Sequence, residues 1–505
     1  MDPPPSLDAF TSHINALLAP SPPPLDITLL ETFTAGLTAT NAPPLVPSLL
    51  PLLTSVLHTP IDPAPVTRVL SRLLSPISFF DLNATSETLL STLQSPSPAV
   101  QLLGLSIISK AAASPDEASV FTTKFPDLVD VLLSLSLDAT SATAVAEAAK
   151  NTIVALTDKC GYFGQLVFYE FRGGEREKIE EKWIKNSSVS HGRLLSLLQD
   201  MAILNFPLVD ESGILNLVMK PREDGDIMLT LLQWELATNI IANTSKTSGA
   251  VDWAEESGLT KRAYDFLTSD MNSTEDNHDV LRTFHFGKIT DYLATLISRY
   301  PDSLTPERLD TILASIQHHL SSPSKDPHQP TLHLLTSLPT SKIPPLLISA
   351  IPLQADFLPV IAGLVKRGGP RILDTYLTSY PTFWERLVSY GKMQGAKETA
   401  LPALDVVEAT AALVPVAPEE NANGTAEKDN EERLRKVLEA PGVLNWLLED
   451  TAAGLGEWEV VQRRRDVVSK LAEKTLGSDV GVALKEALRR GGIGEPRPEV
   501  ATVEL

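Results

Sequence analysis

Apolar residues along this chain recur at i, i+3, i+4 and i+7 in runs of about 10 to 16 residues, and Pro, Ser, Asp or Gly separates the runs. That is the period of short amphipathic helices. The first predicted helix covers Ser6 to Leu18. Asp26 stands where an N-cap would start a second, from Ile27 to Leu37. Pro47 to Leu57 and Pro65 to Leu74 follow. Alternating strand-type runs are scarce, and the turn pair Asp224-Gly225 leads into another helical run. The fold class predicted is all-α.

The helices repeat. Val100 to Ala112 aligns with Val145 to Thr157, 45 residues on, so that Gly104 meets Ala149 and Ile108 meets Ile153. A Pro-started helix, Phe125 to Leu135, lies between them, and Ile227 to Ala242 is a third copy, followed by Val251 to Leu267. Small residues at helix crossings and a period in the forties predict an armadillo/HEAT-like α-solenoid of roughly ten repeats. On residues 227 to 242, Ile227, Leu231, Trp234 and Ile241 share one side, while Leu229, Leu232, Leu236 and Ile240 share the opposite one. A helix apolar on two opposed sides is expected to be covered on both.

Composition divides the chain further. Residues 1–67 carry five acids, no Lys or Arg and much Pro, and read as N-terminal cap helices. Repeats are expected over 68–415 and C-terminal cap helices over 433–490. Residues 416–432 hold six acids and one Lys with no apolar period, which predicts a disordered acidic loop. The Gly/Pro-rich stretch 491–505 and the connection 321–330 are expected to be loose. No positive n-region precedes Arg68, and Pro344, Pro345, Pro352, Gln354 and Asp356 interrupt the most apolar stretch, Ile343 to Val365. The expectation is a cytoplasmic chain without a membrane segment, with the nucleus as a second location. The 42 basic against 63 acidic residues, a formal charge of −21, argue against nucleic acid as partner.

Phosphate-loop, dinucleotide, nucleophile-elbow and zincin motifs are absent, so neither an enzyme nor a cofactor is expected. The neighbours His318 and His319 diverge by about 100° on a helix and are expected at the surface. His278, Asp279 and His285 lack a further ligand at metal spacing. Cys160, the single cysteine, reads as a small apolar residue. Trp234 and Trp253 read as core. A ladder of Trp and Asn four apart, as in import adaptors, is not formed, because Trp234 and Asn239 are five apart. Lys366, Arg367 and Arg371 around Gly368-Gly369 suggest a solvated loop. Of Arg463, Arg464 and Arg465, Arg464 falls on the apolar side with Val461, Val468 and Leu471, where it pairs with a carboxylate or reaches a partner. Phe284-His-Phe-Gly-Lys-Ile-Thr-Asp-Tyr292 is either an inter-repeat core or an aromatic contact patch containing Phe284, Phe286 and Tyr292.

The segment Ser95 to Lys110 with its second copy, and Phe284 to Ala294 followed by Arg299-Tyr-Pro301, resemble the proteasome assembly chaperones of the non-ATPase regulatory subunit 5 type. That family includes fungal relatives named as DNA mismatch repair proteins. The resemblance implies a monomeric, non-enzymatic chaperone of the regulatory-particle base. It would hold the C-terminal domain of an ATPase subunit on the inner solenoid surface and block premature docking. Tyr292 and Arg299 belong to the matching segment and are its first contact candidates. A mismatch-repair accessory factor and a transport adaptor on the same scaffold are the alternatives.

Overall fold

A computed structural model describes residues 7–57, 59–82, 85–172, 180–185, 187–221, 226–272, 280–321, 328–392, 397–412, 438–440, 442–448, 458–474 and 479–489. The acidic segment 416–432, the stretch 491–505, Asp224-Gly225, His278 and Asp279 lie outside the described residues. Among those described, every regular element is helical. In order these are α1 Leu7–Leu17, α2 Ile27–Gly36, α3 Val46–Leu57, α4 Pro63–Leu74, α5 Ser86–Leu93, α6 Pro98–Ser109, α7 Pro115–Lys124 and α8 Leu128–Leu137. Next come α9 Thr143–Lys159, α10 Gly161–Arg172, α11 Ser188–Ser212, α12 Ile214–Val218, α13 Ile227–Asn243, α14 Ala250–Glu256 and α15 Leu259–Asn272. After them follow α16 Val280–Arg299, α17 Pro306–Ser321, α18 His328–Ser337, α19 Pro345–Ala350, α20 Leu358–Gly368, α21 Pro370–Ser379 and α22 Phe383–Gly391. The last are α23 Lys397–Ala412, α24 Val443–Leu448, α25 Trp458–Lys474 and α26 Asp479–Arg489.

Local chemistry sets the boundaries. Asp26 caps α2 by accepting from the Leu29 amide at 2.9 Å, as its position predicts. Asp62 does the same for α4 through Ala64, which moves the start two residues ahead of the expected Pro65. Proline at the first turn opens α4, α6 and α7, where its missing N–H has no helical partner to lose. The predicted helix 251–267 is two helices instead. Gly258 takes φ +71° between α14 and α15, a left-handed conformation that stops the first and turns the chain into the second. Lys366 and Arg367 close α20 and Arg371 opens α21, so the solvated loop expected there is a helix junction around Gly369, φ +65°.

The chain divides into two compact units, Met1–Leu259 and Thr260–Leu505. In the first, α2, α4, α6, α9, α11 and α13 form one layer in which each packs on the next. The second layer contains α3, α5, α8 and α10, packed on α4, α6, α9 and α11 in turn. The aligned copies, α6, α9 and α13, all fall in the same layer. Gly104 and Ala149 are buried, and a Cβ on Gly104 would stand 2.9 Å from Thr92 Cγ2 of α5. The N-terminal core gathers Phe10, Ile14, Leu30, Leu53, Val69 and Leu103, with Phe10 and Phe33 stacked at 3.8 Å. In the second unit α16, α18, α20, α23 and α25 make the corresponding layer, backed by α17, α19, α21, α22 and α24. Each unit is thus an all-α solenoid-type stack.

Candidate functional site

Six side-chain bonds between elements span similar separations, from 35 to 46 residues. Arg72 Nε donates to the Leu37 carbonyl, 35 residues away. Lys150 Nζ donates to Ser196 Oγ, 46 away, and Asn239 Nδ2 to Gln199 Oε1 at 2.8 Å, 40 away. Ser188 Oγ donates to Asp226 Oδ2 at 2.8 Å, 38 away, and Trp253 Nε1 to Asn216 Oδ1 at 3.0 Å, 37 away. In the second unit His333 Nδ1 meets Asp291 Oδ1 at 3.0 Å, 42 away. These separations match the helical-repeat period, so each bond joins equivalent levels of neighbouring repeats.

The layer α9, α11, α13 presents a polar, mostly acidic strip. Lys150 lies between Glu147, at 3.0 Å, and Asp200, at 3.1 Å. Burial would lower its pKa, and the bonds and charges of Glu147 and Asp200 outweigh burial and raise it. Arg193 turns away from the strip, donating Nη2 to the Ser141 carbonyl at 3.0 Å and a further bond to Asp138. Beyond the polar strip, at the first turn of α11 and the first two turns of α13, apolar side chains reach solvent. Val189 is 53% exposed, Met228 63%, Leu232 38% and Ile227 37%. The two-sided coverage expected of residues 227–242 is therefore incomplete. Trp234, Leu236, Ile240 and Ile241 are buried, but Ile227 and Leu232 are not.

The aromatic segment 284–292 is split by its helix. Phe284 is 59% exposed on α16, whereas Phe286 and Tyr292 are buried. The Tyr292 hydroxyl lies 3.0 Å from Thr260 Oγ1 of α15, inside the packing between those helices. Arg299 ends α16, with its guanidinium 6.0 Å from the ring of Tyr300. Arg464 is buried on α25 among Val468 and Leu471, so neither it nor Phe286 nor Tyr292 offers a face to a partner. Its neighbour Arg463 binds Asp405 and Glu408 of α23. Of the sequence-predicted contact residues, the structure leaves Phe284 exposed and Arg299 half-buried, and brings none of the five into one site.

His319 corrects an expectation. It is buried rather than superficial, its Nε2 3.0 Å from Asp270 Oδ2, and its ring 4.3 Å from Phe286. Arg282 Nε donates to Asp270 Oδ1 at 2.7 Å. Burial pushes the Asp270 carboxyl up, and the bonds and charges of His319 and Arg282 more than offset that and hold it low. The 49-residue gap between Asp270 and His319 hides this cluster from any local motif. Cys160 is half-buried and accepts from Thr122 Oγ1 at 3.7 Å. Trp234 and Trp253 are core residues, as predicted. Among the described residues no group of three His, Cys, Asp or Glu is placed to hold a metal ion, and no helix is long and apolar enough to cross a membrane. The links at Lys150, Asn239 and Ser188 escaped sequence reading. The signal that could have found them is polar residues recurring one period apart on the same helix face.

No family model matches this chain, and no curated protein sequence matches it. Among solved structures it is similar to a crystallised engineered protein, with TM-score 0.37 and 13% identity over 91% of this chain and 98% of that one. It is also similar to importin beta crystallised in an ammonium sulfate condition, with TM-score 0.39 and 11% identity over 96% of this chain and 80% of that one. Importin beta from a polyethylene glycol condition gives TM-score 0.41 and 11% identity over 97% and 84%.

Proposed function

We propose that this chain is a non-enzymatic scaffold that holds a protein partner on its layered helices, and that its task is assembly of the proteasome regulatory-particle base. The observation that supports the scaffold reading most is the row α6, α9, α11, α13. Each helix packs on the next, and side-chain bonds about one repeat apart tie α9 to α11 and α11 to α13, so the outward stripes of these three are held in fixed relation. Such a row suits recognition of an extended surface on a folded partner. A charge of −21 favours a partner with a basic surface and speeds encounter at low salt. The assembly role rests on the resemblance of residues 95–110 and 284–301, and it needs only occupation of a surface. Under this reading the chain works as a monomer in the cytoplasm, with an ATPase subunit of the base as its partner.

Affinity purification of the full chain at low salt, followed by mass spectrometry, tests both levels. Stoichiometric recovery of base ATPase subunits is expected. Another stable partner without them would overturn the proteasome role and leave the scaffold. Recovery of no stoichiometric protein would overturn both.

A further inference from the structure

We infer that the cavity between α2 and α4 is a binding site for an aliphatic carboxylate, with the Arg72 guanidinium as its clamp. The site stands independently of the scaffold reading. The cavity measures about 400 Å³ and is lined from both helices. That is within the size of sites that take small ligands, about 300–1,000 Å³.

Arg72 is anchored at one nitrogen and open at two. Its Nε donates to the Leu37 carbonyl at the end of α2, 3.2 Å away, which limits how the guanidinium can turn. Nη1 and Nη2 have no hydrogen-bond or ion-pair partner among the described residues, and the side chain lines the cavity. Terminal nitrogens left open in this way present two parallel N–H donors, which match the two oxygens of a carboxylate. A guanidinium already held loses less side-chain freedom when the ligand arrives.

The neighbouring charges leave that clamp unmatched. Arg68, one turn earlier on α4, also lines the cavity and pairs with Glu31 of α2 at 3.3 Å. Among the described residues Glu31 is the only carboxylate on the wall, so the pair cancels and Arg72 is left over. Between Met1 and Ser109 the two arginines are the only Lys or Arg, and both line this one cavity. Leu30, Ala35 and Pro65 supply apolar wall, and Thr34 spends its hydroxyl proton on the Leu30 carbonyl. An aliphatic stem ending in one carboxylate matches an apolar wall with one unmatched cation. A phosphate dianion does not, because Glu31 would repel its second charge.

The test is ligand-observed saturation-transfer NMR on the full chain. N-acetylglutamate α-amide offers a side-chain carboxylate, N-acetyl-leucine a terminal one, and N-acetylglutamine α-amide neither. Both carboxylates are expected to bind with Kd on the order of 1 mM, and the glutamine compound at least about tenfold more weakly. The tighter of the two carboxylates tells whether a side chain or a chain end is the preferred source. Arg72→Lys keeps the charge but loses the paired donors, and is expected to weaken both about tenfold. Glu31→Gln frees Arg68 and is expected to tighten both about threefold, a gain that misfolding cannot produce. Arg386→Gln, an exposed arginine on α22, should leave both within about twofold. Circular dichroism of each variant establishes that it is folded.

Equal binding by the glutamine compound, unchanged affinity in Arg72→Lys, or no binding of either carboxylate at about 20 mM overturns the inference. So does weaker binding in Glu31→Gln, because Glu31 then holds the ligand instead of competing with it. Inorganic phosphate that displaces the acetylated glutamate at concentrations below that compound's own Kd also overturns it, since the site then suits a dianion. Partner recovery by the wild type is a separate readout and moves with none of these outcomes.

Discussion

Two glycines in the second unit make opposite demands on a methyl group. A Cβ on Gly391, at the end of α22, would fall 2.0 Å from Trp446 Cζ2 of α24, and that indole is fully buried. Gly391→Ala is therefore expected to cost roughly 1–3 kcal/mol, because a rigid ring must move in a packed interior. Gly363, inside α20, has nothing within 4 Å of the same position. Gly363→Ala is expected to stabilise by about 0.5–1 kcal/mol, since alanine restricts the unfolded chain and favours the helix. Thermal melts of the two variants should shift in opposite directions; a parallel shift would refute the packing around Trp446. Tyr292 is a residue-scale case where burial decides between roles. Tyr292→Phe removes the hydroxyl bonded to Thr260 and should lower stability by about 0.5–1.5 kcal/mol while leaving partner affinity unchanged. Loss of affinity with an unchanged melt would restore Tyr292 as a contact.

Between elements, the polar links carry pH and charge dependence. His333 on α18 is held protonated to higher pH than a free imidazole, because Asp291 on α16 bonds to it and its charge favours the cation, against some burial. A raised folded-state pKa means stability that is complete below the unfolded value of about 6.5 and is lost as pH rises through the folded value. Both side chains are about half exposed, so solvent screening keeps the effect below about 1 kcal/mol. Asp291→Asn should flatten this part of the stability–pH curve between pH 6 and 8, as followed by urea titration. A slope unchanged in the variant would place the pH dependence elsewhere. The Lys150 link joins α9 to α11, and Lys150→Ala is expected to cost about 1–3 kcal/mol, because Asp200 and Glu147 then face each other without a cation. Lys150→Ala with Asp200→Ala should cost less than the sum of the singles.

Helix existence and layer membership were legible in the sequence because apolar spacing and Pro or Asp punctuation are local. α6, α9 and α13 were aligned from small and branched residues alone. The split at Gly258 was not legible, because a glycine inside an apolar run signals a break only when its dihedral angle is known. The burial of His319 was not legible either, since its partners come from α15 and α16 through tertiary packing. The same holds for the contact candidates: an aromatic run marks Phe284 and Tyr292 alike, and only helix phase and neighbours separate an exposed ring from a buried one.

At the scale of the whole molecule, packing is concentrated within Met1–Leu259 and within Thr260–Leu505. Stacks held by nearest-neighbour contacts do not require a single cooperative transition. Urea unfolding is therefore expected to give non-coincident transitions for probes in the two units, such as the fluorescence of Trp253 alone and of Trp446 alone in chains whose other tryptophans are replaced by Phe. Coincident curves, with calorimetric and van't Hoff enthalpies equal, would refute that expectation.

The reach of the cross-links has a mechanical corollary. Each bond from Arg72, Lys150, Asn239 or His333 spans only to the adjoining level. Tension drawn along either unit is therefore expected to load the junctions that these four bonds hold one at a time. Stretched in an optical trap, such a chain extends as a soft spring, releasing its length in increments of about 40 residues at low force.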